Sequence, residues 1–163
     1  MQNTVSPIKR SEQLAPLSRE HHDGLLFCWK IRQGLGNGTP VSTLQEFVLW
    51  YWRSHLQHHF KQEESILLPY IGGHPFAEQL LKEHQDIRDV ILSLERNPDV
   101  NLFSVLASFV NNHIRFEERH LFNYLEKILS LEELDLVAGK LAALHENADD
   151  SWTIEFWIRK NKK

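Results

Sequence analysis

Two stretches of the chain carry the same chemistry at the same spacing. His59-Phe60-Lys61-Gln62-Glu63-Glu64 is followed by Leu67 and Tyr70, and His113-Ile114-Arg115-Phe116-Glu117-Glu118 by Leu121 and Tyr124. Residues four apart lie one turn along the same helix face, so His59 with Glu63, and His113 with Glu117, can each grip one cation together. A shorter pattern precedes each: Glu20-His21 stands before the first and Glu83-His84 before the second. The chain thus reads as two copies of a helical hairpin, each with one histidine on its first helix and a His-x-x-x-Glu on its second. Facing each other, the hairpins would supply four imidazoles, from His21, His59, His84 and His113, and two carboxylates, from Glu63 and Glu117. Imidazole and carboxylate without thiolate suit iron first, with manganese or zinc behind it, and a carboxylate can bridge two cations that would otherwise repel each other.

The elements that must position these residues are helices. Gly and Pro fall between long segments of helical periodicity, and no alternating strand pattern occurs, so the fold is expected to be all-α. The first helix is expected from about Ala15-Pro16 to Gly34, with Leu14, Leu17, His21, Leu25 and Cys28 inward. The second should be capped by Ser42 or Thr43 with Glu46 and run to Leu68-Pro69, its stripe being Val48, Trp52, His55, His59, Glu63 and Ile66. The third carries Leu80, His84, Ile87, Ile91 and Leu94 and stops at Asn97-Pro98. The fourth runs from Val100 to Leu129 with Leu102, Leu106, Phe109, His113, Glu117, Leu121 and Tyr124. Short connections favour an up-down-up-down four-helix bundle over about 14–130. From 131 a fifth helix to near His145 is expected, then Asp149-Asp150-Ser151 capping a short helix that bears Trp152, Phe156 and Trp157, the whole of 1–163 forming one domain.

Composition narrows the function classes. The chain has 163 residues, 42% of them hydrophobic, enough for one core without staples. A net charge of −4 and scattered basic residues argue against a nucleic-acid footprint. No apolar run approaches a bilayer span and no leader pattern opens the chain, which points to the cytoplasm and to no membrane partner. The single Cys28 excludes a disulfide framework and a thiolate zinc site. Ten histidines are the abnormal feature. Of these, His21 is preferred to His22 by helical phase, and His55 is read as a hydrogen-bonding neighbour of the ligands. His58, His74, His120 and His145 are read as structural. Glu64, near Lys61, and Glu118, near Arg115, are read as solvated charges pointing away from the cations, while Tyr70 and Tyr124 either pack or border a ligand pocket.

On Glu20-His21-His22, His59 to Glu64, Glu83-His84 and His113 to Glu118, the chain resembles the hemerythrin-like family with the HHE cation-binding pattern, over roughly 14–130. The resemblance implies a non-haem centre of two iron ions, bridged by oxo or hydroxo, and a role with oxygen, nitric oxide, peroxide or iron itself. A sensor, scavenger or carrier is the leading expectation; an oxidase or peroxidase-like enzyme, a donor of iron for repair of damaged iron centres, and a structural zinc bundle are the alternatives. The protein is expected as a monomer or homodimer. Two departures from the family's oxygen carriers stand out: Arg88 occupies the position of their further histidine, and the acid in phase with His113 is Glu117. Glu118, at the carriers' spacing, would be turned ~140° away on a regular helix. Both shift the resemblance towards members with four histidines and two glutamates.

Overall fold

The computed structural model describes residues 9–145 and 151–159, and among these the chain is all-helical, in five successive segments. Helix α1 spans Ala15–Gly36 with Pro16 in its first turn, where a missing N–H costs nothing. It closes on a left-handed Gly38 (φ 70°), the Gly38 and Thr39 amides donating to the Leu35 and Gly34 carbonyls at 3.2 and 3.0 Å. That reversal lets only a residue without Cβ adopt the required φ cheaply. It also delivers Pro40, with its fixed φ, as the N-cap of α2, so the helix starts at Val41 without the capping box expected at Ser42 or Thr43. The capping box that does form is Ser130 with Glu133, at the head of α5 (Leu131–Leu144).

Helix α2 is continuous but not uniform: Val41–Tyr51 is α, Trp52–Leu56 π, Gln57–Gln62 α, Glu63–Leu67 π and Leu68–Tyr70 a final 3₁₀ turn. Helix α3 is Pro75–Arg96, its first turn capped by His74 Nδ1, which accepts from the Phe76 amide at 3.1 Å. Helix α4 begins with Val100–Phe116, capped by Asp99, passes through a π turn at Glu117–Leu121 and ends with Phe122–Ile128. The π turns that begin at Glu63 and Glu117 occupy equivalent places in the repeat, and such turns gather at functional positions because they re-aim side chains. Helix α1 lies along α4, α3 against α4, α2 beside α3, and α5 beside the Glu63–Leu67 turn.

Two apolar clusters lie on either side of the histidine layer. One gathers Phe27, Phe47, Phe60, Ile87, Phe103 and their neighbours; the other gathers Leu14, Leu67, Leu80, Phe122, Val137 and theirs. Each fully buried Leu or Phe contributes about 1.5–3 kcal/mol relative to exposure, so these clusters can carry the fold while polar residues occupy the layer between them. The inward face of α1 differs from expectation: Leu25 is exposed, and Gly24, Phe27 and Ile31 turn inward with His21 and Cys28. On α4, Val110 replaces Phe109 in the core. The α3 stripe is buried as read.

Residues 151–159 form no helix. Trp152 and Phe156 instead meet Phe47 edge-on at 5.2 and 4.9 Å, and Asn37 donates to the Phe156 and Ile158 carbonyls. Burying these rings on the bundle overrides local helix propensity. The Asp149-Asp150 part of the expected cap lies outside the described residues. No helix among the described residues is long and apolar enough to cross a membrane.

Candidate metal centre

Four helices bring His21 (α1), His59 and Glu63 (α2), His84 (α3), and His113 and Glu117 (α4) into one buried layer, none more than 6% exposed. Their inner atoms fall into two adjoining sets. His21, His59, Glu63 and Glu117 offer ligand atoms within 4.8 Å of one another, and so do Glu63, His84, His113 and Glu117. Both carboxylates belong to both sets, so each could serve a cation held in either. All six residues singled out by spacing are thus brought together, while His22 is exposed on the far side of α1.

The inner distances are short, and His84 Nε2 stands in hydrogen-bond geometry to both Glu63 Oε1 and His113 Nε2. Glu63 Oε1 lies 3.3 Å from His59 Nε2 and 3.2 Å from His84 Nε2; Glu117 Oε1 lies 3.4 Å from His21 Nε2 and 2.5 Å from His113 Nε2. Nε2 of His84 and Nε2 of His113 face each other at 3.2 Å. Among the described residues, Nε2 of His21 and of His59, Oε2 of Glu63 and both oxygens of Glu117 are buried without a hydrogen-bond partner. Each such orphan costs about 1–3 kcal/mol, a penalty that coordination would remove.

Behind each histidine stands a second carboxylate that spacing alone did not reveal. His59 Nδ1 meets Glu20, and His113 Nδ1 meets Glu83 Oε1 at 2.8 Å, each within its own hairpin. His21 Nδ1 meets Glu118 at 2.9 Å and His84 Nδ1 meets Glu64 at 3.2 Å, each across to the other hairpin. Glu64 and Glu118 do point away from the inner atoms, but they are not solvated partners of Lys61 and Arg115. Arg88 binds Glu64 at 2.5 Å, and Arg10 binds Glu118 at 2.9 Å and Glu126 at 2.8 Å. A carboxylate on Nδ1 fixes the proton there and aims the Nε2 lone pair inward, the orientation a metal-binding imidazole needs. The signal was present in the sequence as Glu20/Glu83 and Glu64/Glu118, which repeat as faithfully as the ligands.

Charge in this layer is balanced locally. Burial resists protonation of His59, but Glu63 and Glu20 overrule it and push its pKa up to about 10. Burial would raise the Glu63 carboxyl, yet His59 beside it and hydrogen bonds from His113 and His84 hold it well below the carboxylate range. Without cations, the raised pKa of His59 and the lowered one of Glu63 make these two an ion pair across the layer. His84 is likewise raised, burial opposing and Glu63 and Glu64 prevailing, whereas burial lowers His21. Four inward imidazoles and two shared carboxylates, dry and with their arginines confined to the outer layer, fit a pair of divalent cations.

Other expected neighbours take different places. His55 stacks on Tyr51 at 4.9 Å and meets Trp50 edge-on at 5.2 Å. Tyr124 packs on His74 at 4.3 Å and on Phe76. Cys28 is buried, and burial raises its thiol to about 12 despite Arg32, so it is inert.

A family model described as the hemerythrin HHE cation binding domain matches residues 12–125. No curated protein and no solved structure matches the chain.

Proposed function

Because the chain belongs to the hemerythrin HHE cation-binding family, which implies a bound metal and typically iron, we propose that it is a non-haem di-iron protein that handles a small ligand such as oxygen or nitric oxide, as sensor, scavenger or carrier. The observation that carries this is the pair of adjoining ligand sets that share Glu63 and Glu117. We read His21, His59, Glu63 and Glu117 as holding one iron and His84, His113, Glu63 and Glu117 as holding the other. The frame is read as an up-down-up-down four-helix bundle within a single domain, active as monomer or homodimer.

Two irons so held would supply redox exchange with a small diatomic ligand; the protein supplies everything that makes this selective. Glu63 and Glu117 hold the cations together, and Glu20, Glu64, Glu83 and Glu118 keep the four imidazoles in the binding tautomer. Phe60, stacked on His84 at 3.8 Å, and Phe122, stacked on His21 at 5.2 Å, keep water from the ligand rings. Burial of all six ligands favours a resident centre over one that donates its iron. Anaerobic titration with ferrous iron should end at about two ions per chain, because two sites with shared carboxylates fill together. The product should change its visible spectrum on admission of air and again with nitric oxide. A colourless protein holding one zinc would contradict the proposal.

A further inference from the structure

The ligands repeat faithfully between the two hairpins, but the residues packed against them do not. Between α1 and α3 the repeat is 63 residues, taking His21 to His84 and Gly24 to Ile87; between α2 and α4 it is 54, taking His59 to His113 and Phe60 to Ile114. On the His84 side the two equivalent positions are Phe60 and Ile87, both fully buried. On the His21 side they are Ile114 and Gly24. Two large side chains therefore correspond to one smaller and one absent. The volume missing there is found as a cavity of about 180 Å³, which Gly24 and Ile114 line and which reaches His21, His59 and His113 but not His84.

This cavity is larger than a diatomic molecule requires, since an apolar cavity of about 150 Å³ accepts a benzene-sized guest. Its walls are two-sided in character. Gly24, Leu56, Phe60, Val110 and Ile114 present apolar surface, while Tyr51, Ser54, His55 and His58 from α2 and the carboxylates Glu20 and Asp23 from α1 bring polar groups. The Tyr51 hydroxyl lies 3.9 Å from where a Cβ on Gly24 would sit, and that Cβ would be 2.8 Å from Ile114 Cδ1. Gly24 is thus the point at which the cavity is kept open. Pockets of this make-up, mostly apolar with a few converging polar groups, are those that bind small organic molecules.

We propose that this cavity binds a ring-sized organic molecule, apolar over most of its surface and bearing one hydrogen-bonding group, and holds it against the His21 and His59 side of the metal pair. The second half of that statement rests on the di-iron reading; the first does not. Phenol is the probe, titrated into the whole 163-residue chain, metal-free and iron-loaded, with binding followed by ligand-observed NMR and iron measured on the same samples. Wild-type protein should bind phenol saturably in both forms, and phenol should compete with azide in the iron-loaded form. Gly24→Ala, which drives Ile114 into the cavity, and Ile114→Phe, which copies Phe60, should each weaken phenol binding about tenfold or more, with iron content and helical circular dichroism unchanged. Two irons and azide binding without saturable phenol binding would overturn the inference and leave the di-iron reading intact. Phenol affinity indifferent to both substitutions would overturn it as well. Phenol binding that responds to both substitutions in a chain unable to hold iron would uphold the cavity and sink the di-iron reading instead.

Discussion

The α1–α2 half and the α3–α4 half present the same inner histidines and glutamates and the same carboxylates behind them, and differ in the side chains packed around that shared set. His84 lies under Phe60, with Arg88 tied to Glu64 and its guanidinium 5.8 Å from the same ring. His21 lies on Phe122, and the Arg10 that secures its carboxylate comes from the segment before α1. Both histidine rings are stacked on an aromatic side chain, and the difference is one of volume: Phe60 and Ile87 fill the space beside His84, whereas Gly24 and Ile114 leave a cavity that reaches His21. The contrast separates two demands. On the proposed reading, holding a cation pair constrains residue type and spacing tightly, so both halves keep the set; packing constrains only volume and polarity, so the halves are free to diverge.

The largest effect is expected where the halves cannot differ. Glu63→Gln and Glu117→Gln each touch both ligand sets, so either should reduce iron from about two per chain to one or none, as read by elemental analysis. If one substitution spared both irons, the bridges would not be equivalent and the symmetric reading would fail. Next come the outer carboxylates. Glu20→Gln, Glu64→Gln, Glu83→Gln and Glu118→Gln should each weaken iron binding about 10–100-fold while saturating iron still gives two per chain. Affinity measured by competition with a chelator checks this, and sharpens the comparison if Glu118→Gln, which also releases Arg10, proves worse than Glu83→Gln.

A smaller, graded effect follows from pH. The His59 pKa in the folded, metal-free protein is raised to about 10, so its proton stabilises the fold fully below about pH 6.5, and that contribution disappears as pH rises through about 10. The melting temperature of metal-free protein should therefore fall between pH 7 and pH 10. Iron must displace the same proton, so its binding should tighten over that window. A metal-free melting curve that rises across it would show that burial, as at His21, prevails at His59 too. The smallest effect belongs to Arg88→Leu. The pair it breaks is partly exposed, with Arg88 30% accessible, so stability should change by no more than about 1 kcal/mol, by denaturant titration.

Much of this was legible in the sequence because helical period and an internal repeat reinforce each other. His21, His59, Glu63, His84, His113 and Glu117 are placed by the two together, and the α3 stripe by period alone. What was not legible traces partly to departures from 100° per residue and partly to packing between elements distant in sequence. The π turns at Glu63–Leu67 and Glu117–Leu121 each shift the phase, so Glu64 and Glu118, which a regular helix would send to solvent, serve His84 and His21 instead. On α1 the choice between Leu25 and Gly24 depended on neighbours in space: the missing Cβ of Gly24 is what lets Ile114 Cδ1 approach this closely, and hydrophobicity alone favoured the leucine. The tail around Trp152 and Phe156, read as a short capped helix, forms none over 151–159, since its structure comes from docking on Phe47.

Crystals of the anaerobically iron-loaded protein, measured on either side of the iron absorption edge, would test the shared-bridge centre most directly. Two anomalous peaks about 3.5–4 Å apart are predicted, one among His21, His59, Glu63 and Glu117 and the other among His84, His113, Glu63 and Glu117. A single peak, or two peaks that do not both touch Glu63 and Glu117, would contradict it.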